Sequence, residues 1–228
     1  MSTAPLNWSL IRLLVVKDWQ LFEKQLAAYV AGGIVALGLL GTPRYWSFYA
    51  GALLLMVVMI AAACFSISNS LIVERKERTL AFVMSLPVSP LEFTLAKLLG
   101  NLATFLVPYA LLNLGAVALI LLTPLPDGLL VYWLLIAGHI GLAYSLSLAV
   151  ALSVESEGWN TFVMISCMVM LNPFLMALGQ IPAIVDPLKG NDIVWSAPAL
   201  AILGAQALAS LLILGLTGWR QARRPAFY

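Results

Sequence analysis

Six apolar runs free of Asp, Glu, Lys and Arg constrain this chain more than any other feature. They lie near Leu26 to Leu40, Ala50 to Val73, Leu98 to Leu122, Leu129 to Ser153, Phe162 to Leu178 and Ala197 to Gly218. Crossing about 30 Å of hydrocarbon takes roughly 20 residues of α-helix, so each run reads as a membrane span. The first and fifth are the shortest and have the least sharp limits. A water-soluble fold has nowhere to put them. Of the 228 residues, 62% are hydrophobic and 10% charged, whereas soluble domains are about half apolar and a quarter charged. A soluble chain of this size would bury only about 70% of its surface. The expectation is an all-α membrane protein of six transmembrane helices, forming one transmembrane domain over residues 1–228.

The breaks between runs carry turn-forming and charged residues: Gly41-Thr-Pro-Arg44, a charged segment from Glu74, Pro124-Leu-Pro-Asp-Gly128, Glu155-Ser-Glu-Gly158, and residues 179–195 with Pro182, Asp186, Pro187, Lys189 and Asp192. Lys and Arg accumulate on the cytoplasmic side of membrane proteins. Arg12, Lys17, Lys24, Arg75, Lys76, Arg78, Lys97, Arg220, Arg223 and Arg224 fall on the side of the N-terminus, with only Arg44 and Lys189 opposite. Both termini are therefore expected in the cytoplasm and 179–195 outside. The net charge of +2 is too small and too dispersed for a nucleic-acid partner. Cys64 and Cys167 sit inside apolar runs, where cysteine behaves as a small hydrophobe. No basic region, short apolar core and cleavage site stand at the N-terminus, so the first span is expected to persist in the mature chain.

Ahead of the first span, Ile11, Val15, Trp19 and Phe22 share one helical face while Lys17 and Lys24 share another. That pattern predicts an interfacial helix within residues 1–25, with a cytoplasmic extension of the first span as the alternative.

Residues 74–97, between the second and third spans, are too long and too patterned for a simple connector. Glu77 and Arg78 lead into a short amphipathic stretch from Thr79 to Leu86, with Leu80, Val83 and Met84 at helical spacing. Pro87 ends it, because a residue before proline is pushed out of the helical region. Ser89-Pro-Leu-Glu92 then reads as a capping box that restarts the chain as the third span. Such a helix, stop, helix arrangement suits docking onto a soluble partner; resting on lipid headgroups is the alternative.

Glu74, Thr79, Leu80, Leu86, Pro87, Ser89, Glu92 and Lys97 together resemble the cytoplasmic loop of ABC-2 type transporter permeases, whose coupling helix is followed by Leu-Pro-Val-Ser and then a Glu and a Lys. One departure is Arg78, where the family often has glycine. The resemblance implies a type V exporter fold in the cytoplasmic (inner) membrane. It further implies a second permease copy or related chain, and a separate cytoplasmic ABC ATPase contacting Glu74, Glu77, Arg78, Thr79, Leu80, Val83, Met84, Leu86 and Pro87. ATP and Mg would reside on that partner. This chain contains no G-x-x-x-x-G-K-[ST] phosphate loop, so no cofactor of its own is expected.

Small residues mark helix contacts. Ala137, Gly141, Ser145, Ala149 and Ser153 line one face of the fourth span, suited to intramolecular packing or a dimer seam. Ala28, Gly32 and Ala36 form a shorter stripe on the first span; the resemblance implies that this stripe is the better seam candidate, because in the family the first and fifth spans commonly lie near the dimer interface. His139 is the only histidine and reads as a neutral, hydrogen-bonded group. Asn69, Asn101, Asn113 and Asn172 are candidate glue between helices. Met164, Met168, Met170 and Met176 enrich the fifth span in adaptable thioether surface. Met164 and Met168, with Asn172, are candidates to line a substrate path, with plain packing as the alternative. Asn172-Pro173 is expected to interrupt that span, and the resemblance implies short re-entrant helices in the loop after it.

No paired carboxylates, His/Cys cluster or nucleophile with its base lies in the spans, so an enzyme is not expected. The absence of intramembrane charge disfavours ion-coupled transport. It points to apolar or amphipathic cargo such as lipid, peptide or antibiotic. Haem is a further candidate, since haem-export permeases of cytochrome c maturation are similar in size and topology. The other class is a membrane scaffold that recruits an ATPase without transport.

Overall fold

A computed structural model of the chain describes residues 7–42, 44–69 and 90–222. All regular structure in them is helical: α1 (Trp8–Leu40), α2 (Tyr45–Ile67), α3 (Pro90–Leu122), α4 (Leu129–Ser153), α5 (Glu157–Val169), α6 (Leu171–Leu178), α7 (Pro182–Val185), a 3-10 turn (Asp186–Lys189) and α8 (Ala197–Ala222). With α5 and α6 taken as one broken span, six helical segments are long and apolar enough to cross a membrane. In hydrocarbon a helix satisfies all its own backbone groups, which is why these runs adopt it.

The structure corrects the expectation of a separate interfacial helix within 1–25. That segment continues into the first span as the single 33-residue helix α1, about 50 Å long at 1.5 Å per residue. No proline or glycine occurs between Trp8 and Ala31 to break it. Ile11, Asp18, Phe22, Leu26, Gly33, Ala36 and Leu40 give it one buried face, so burial continues unbroken across the expected junction. The face differs slightly from the one the sequence marks: Asp18 is buried, while Trp19 is only half-buried.

Helix α1 lies between α2 and α3, its two principal neighbours. Gly51 lets α2 start close against the end of α1, because a Cβ there would come within 2.5 Å of the Leu40 nitrogen. Ser47 Oγ also donates to the Leu39 carbonyl at 2.6 Å. Helix α3 is also 33 residues long and lies parallel to α1, with partners advancing together along both: Asp18 meets Lys97, Gly33 meets Leu112, Leu37 meets Gly115 and Gly41 meets Leu119. Cβ atoms on Gly33 and Gly115 would stand 2.1 Å from Leu112 Cδ2 and 2.6 Å from Leu37 Cδ1. Each leucine therefore fills the space left by a missing side chain.

Helix α4 is the most enclosed span and forms the centre of the bundle. Its small-residue face packs within the chain: Tyr109 OH donates to the Ala137 carbonyl at 2.7 Å, and Gly141 faces the same tyrosine. On another side Gly138 makes room for Gln206 of α8, whose Nε2 donates to the Leu135 carbonyl at 3.2 Å. The fifth span is interrupted at Met170, between α5 and α6. The break sits where expected, because Pro173 cannot donate to the carbonyl one turn earlier and its ring crowds it. In the 179–195 segment, Ile184 is buried among Val131, Leu135, Leu178 and Ala199. The Gly128 N–H donates to the Gly190 carbonyl at 3.1 Å, tying two loops together at one end of the bundle.

Candidate functional site

The parallel pair α1 and α3 gathers charged and polar side chains where α3 begins. Lys97 Nζ donates to Asp18 Oδ2 at 3.1 Å, and the two residues are only 6% and 3% exposed. Lys17, largely exposed, approaches the other carboxylate oxygen at 3.3 Å. Gly100 leaves space for this carboxylate, since a Cβ there would lie 3.3 Å from Oδ2. Nearer the helix starts, buried Glu92 accepts the backbone N–H of Asn7 through Oε1 at 2.8 Å. Asn7 caps α1 by accepting from the Leu10 N–H.

One turn beyond Lys97 a second polar cluster follows. Asn101 Nδ2 donates to the Lys97 carbonyl at 3.0 Å. The Asn101 carbonyl accepts from Tyr144 OH of α4 at 2.8 Å and from Ser66 Oγ of α2 at 3.2 Å. Ser66 and Thr104 hydroxyls lie 2.8 Å apart, and Phe105 stacks on Tyr144 with ring centroids 3.8 Å apart. Four helices thus meet through α3, with Asp18 supplied by α1, Ser66 by α2 and Tyr144 by α4. Taking two charges out of water is costly, so a buried pair holds best where its geometry is good and further hydrogen bonds complete it. The chemistry of this junction is mechanical, joining helices through ionic and hydrogen-bonded contacts that tolerate little displacement.

The candidate coupling residues Glu74, Glu77, Arg78, Thr79, Leu80, Val83, Met84, Leu86 and Pro87, and Ser89 of the helix restart, lie outside the described residues. Glu92 is described and stands in the junction. The seam candidates Ala28, Gly32 and Ala36 do not form one exposed stripe. Ala28 is exposed, but Ala36 is fully buried in the core and Gly32 faces Val58 of α2. The seam reading fails for Ala36, because α2 already occupies that face. Met164 and Met168 are partly buried, Met164 within 3.9 Å of the Ser68 hydroxyl and Met168 against the cluster around Phe105 and Tyr144. Asn172 is exposed.

His139 stacks on Phe174 at a centroid distance of 4.5 Å. Of the asparagines proposed as glue, Asn101 joins helices through its side chain, Oδ1 accepting from Ser66 Oγ of α2 at 3.4 Å, whereas Asn69 and Asn113 donate to carbonyls one turn back in the chain. Among the described residues no three His, Cys, Asp or Glu side chains come together as a metal site.

Sequence reasoning missed Asp18, Ser66, Thr104 and Tyr144. A signal existed for Asp18: it is a lone carboxylate seven residues after Ile11 and four before Phe22, on the face those residues bury. The other three are ordinary components of apolar helices, and nothing local marks them as partners across helices. No family model, no curated protein and no solved structure matches this chain.

Proposed function

We propose that the chain is the transmembrane permease subunit of an ATP-driven exporter of the ABC-2 (type V) kind, moving an apolar or amphipathic substrate such as a lipid, peptide or antibiotic across the cytoplasmic membrane. Its partners in this reading are a separate cytoplasmic ABC ATPase, which carries ATP and Mg, and a second permease copy or related chain. The observation that carries the reading is the segment from Glu74 to Lys97, with its helix, proline stop and capped restart. Six long apolar helices are compatible with it. So is the position of the buried junction, since Glu92 and Lys97 belong both to the family-like segment and to the contacts that fasten α3 to α1.

In this account the ATPase engages Thr79 to Leu86, Pro87 fixes that stretch relative to α3, and α3 conveys the motion into the bundle. The test is purification of the chain from its own membranes in mild detergent. An ATPase bearing a G-x-x-x-x-G-K-[ST] loop should copurify, with hydrolysis stimulated by transported cargo. A chain that purifies without any ATPase, or with one indifferent to every apolar cargo tried, refutes the exporter.

A further inference from the structure

Lipid surrounds a membrane bundle, so side chains on its outside are expected to be apolar. Within the six apolar runs, one exposed polar residue among those described breaks the pattern: Asn172. The other described Asn, Gln, Ser, Thr and His side chains of the runs are buried or half-buried. Asn172 lies six residues inside Leu178, where the fifth span ends, about 9 Å of helix. Hydrocarbon offers an amide no hydrogen bond, and leaving those bonds unmade is costly.

The face that carries Asn172 is bare. Helices α5 and α6 pack chiefly on α4, turning Asn160, Met168 and Leu171 inward. Helical hydrogen bonds run through the break at Met170, from its N–H to the Ser166 carbonyl at 3.0 Å and from the Phe174 N–H to the Met170 carbonyl at 3.1 Å. Phe162, Ile165, Val169, Asn172 and Met176 therefore follow one another in steps of three and four along one face, and the four apolar ones are 56 to 72% exposed. That is the spacing of a helix-pairing seam with one polar position. A lone asparagine in such a seam fixes register and the number of chains that associate.

We infer that Asn172 pairs with the same residue of a second copy of this chain, across a twofold axis between the two fifth spans. An amide carries donors and an acceptor side by side, so two of them close hydrogen bonds with each other. A twofold axis through the seam sets its central residues opposite their own counterparts. A related chain would need a matching polar residue at that level; a copy brings it. The second chain of the proposed exporter is then this chain itself, and only that role rests on the proposed function.

The full chain, alone in liposomes of decreasing protein density, tests the pairing. A dye on Lys189→Cys, exposed on the outer segment, in a Cys64→Ala/Cys167→Ala background counts copies by photobleaching. Dimers are expected. Asn172→Leu should shift dissociation to about three- to thirtyfold higher density, the worth of an interhelical side-chain hydrogen bond, and Asn172→Gln should restore pairing. In the same background without the dye site, Asn172→Cys should form a disulfide-linked dimer on oxidation. Leu211→Cys, 70% exposed on α8, should not.

An unchanged dimer fraction in Asn172→Leu overturns the amide pair. Cross-linking at 172 no faster than at 211 overturns the seam. Labelling of Asn172→Cys by a membrane-impermeant thiol reagent as fast as Lys189→Cys assigns the face to a water-filled path and overturns the seam as well. A chain that stays monomeric at every density, or that cross-links at 172 only to a different polypeptide in its native membrane, overturns self-pairing while leaving the exporter standing with a related chain. Dimers joined at 172 in a chain that purifies without any ATPase uphold the pairing, and there the proposed function fails instead.

Discussion

Replacing Gly33 by alanine strikes the tightest contact between α1 and α3. The new methyl would stand 2.1 and 2.8 Å from the two δ-carbons of Leu112, against a carbon contact distance of about 3.5 to 4.0 Å. Leu112 is 1% exposed, so its δ-carbons make room only by repacking against enclosed neighbours. Overpacking of this kind costs about 1 to 3 kcal/mol, and so severe an overlap belongs at the upper end. Alanine returns about 1 kcal/mol through its helix preference over glycine. The net loss is about 2 kcal/mol, a fall in melting temperature of about 4 to 8 °C for a chain of this size. Gly38→Ala is the control, because nothing lies within 4 Å of the point its methyl would occupy; it should be neutral or slightly stabilising. Leu112→Ala alone should cost about 2 to 5 kcal/mol. Gly33→Ala/Leu112→Ala should lose less than the sum of its parts, since one methyl partly fills the other's cavity. Thermal unfolding of all four variants in one detergent measures this. Equal melting temperatures for Gly33→Ala and Gly38→Ala would refute the parallel packing of α1 against α3.

Three further outcomes follow from the same account. A membrane-impermeant thiol reagent applied to intact cells should label Lys189→Cys and leave Arg78→Cys unlabelled; the opposite pattern inverts the topology. Tyr144→Phe removes the donor to the Asn101 carbonyl and should cost about 0.5 to 1.5 kcal/mol in unfolding experiments, and no loss at all would mean that the hydroxyl does not tie α4 to α3. Pro87→Ala should keep the ATPase bound while transport falls further than ATP hydrolysis, whereas equal losses would argue against a fixed turn.

Hydropathy exposes the spans because a charge-free apolar run has few places to go except lipid. The length of α1 is harder to read. Its first half carries Arg12, Lys17, Asp18, Glu23 and Lys24, so composition there resembles a surface helix even though Ile11, Asp18 and Phe22 are buried. Asp18 is enclosed against Lys97 of α3 and Phe22 against Phe65 of α2, helices that lie further along the chain, and pairing across such separations leaves no periodic trace in α1. The same reason hides the role of Gly33. Gly32 and Gly33 are adjacent, yet one faces Val58 of α2 and the other Leu112 of α3, and a single-helix stripe reading selects only one of them. Glu92 and Lys97 are legible as parts of a family-like segment, but their contacts with Asn7 and Asp18 require the fold. The interruption near Pro173 is legible because proline acts locally.

The central claim is that residues 79–86 dock an ATPase whose motion enters α3, and Leu80→Asp/Val83→Asp tests it most directly. Truncating a central interface side chain typically costs more than about 2 kcal/mol, and a charge placed there adds desolvation. The affinity for the ATPase should therefore fall at least about a hundredfold. Both residues fall between the apolar runs of the sequence, so the permease should still insert and purify in normal yield. The account predicts that the ATPase is lost from the purified complex. An ATPase that stays fully bound and fully coupled in the double variant would contradict it.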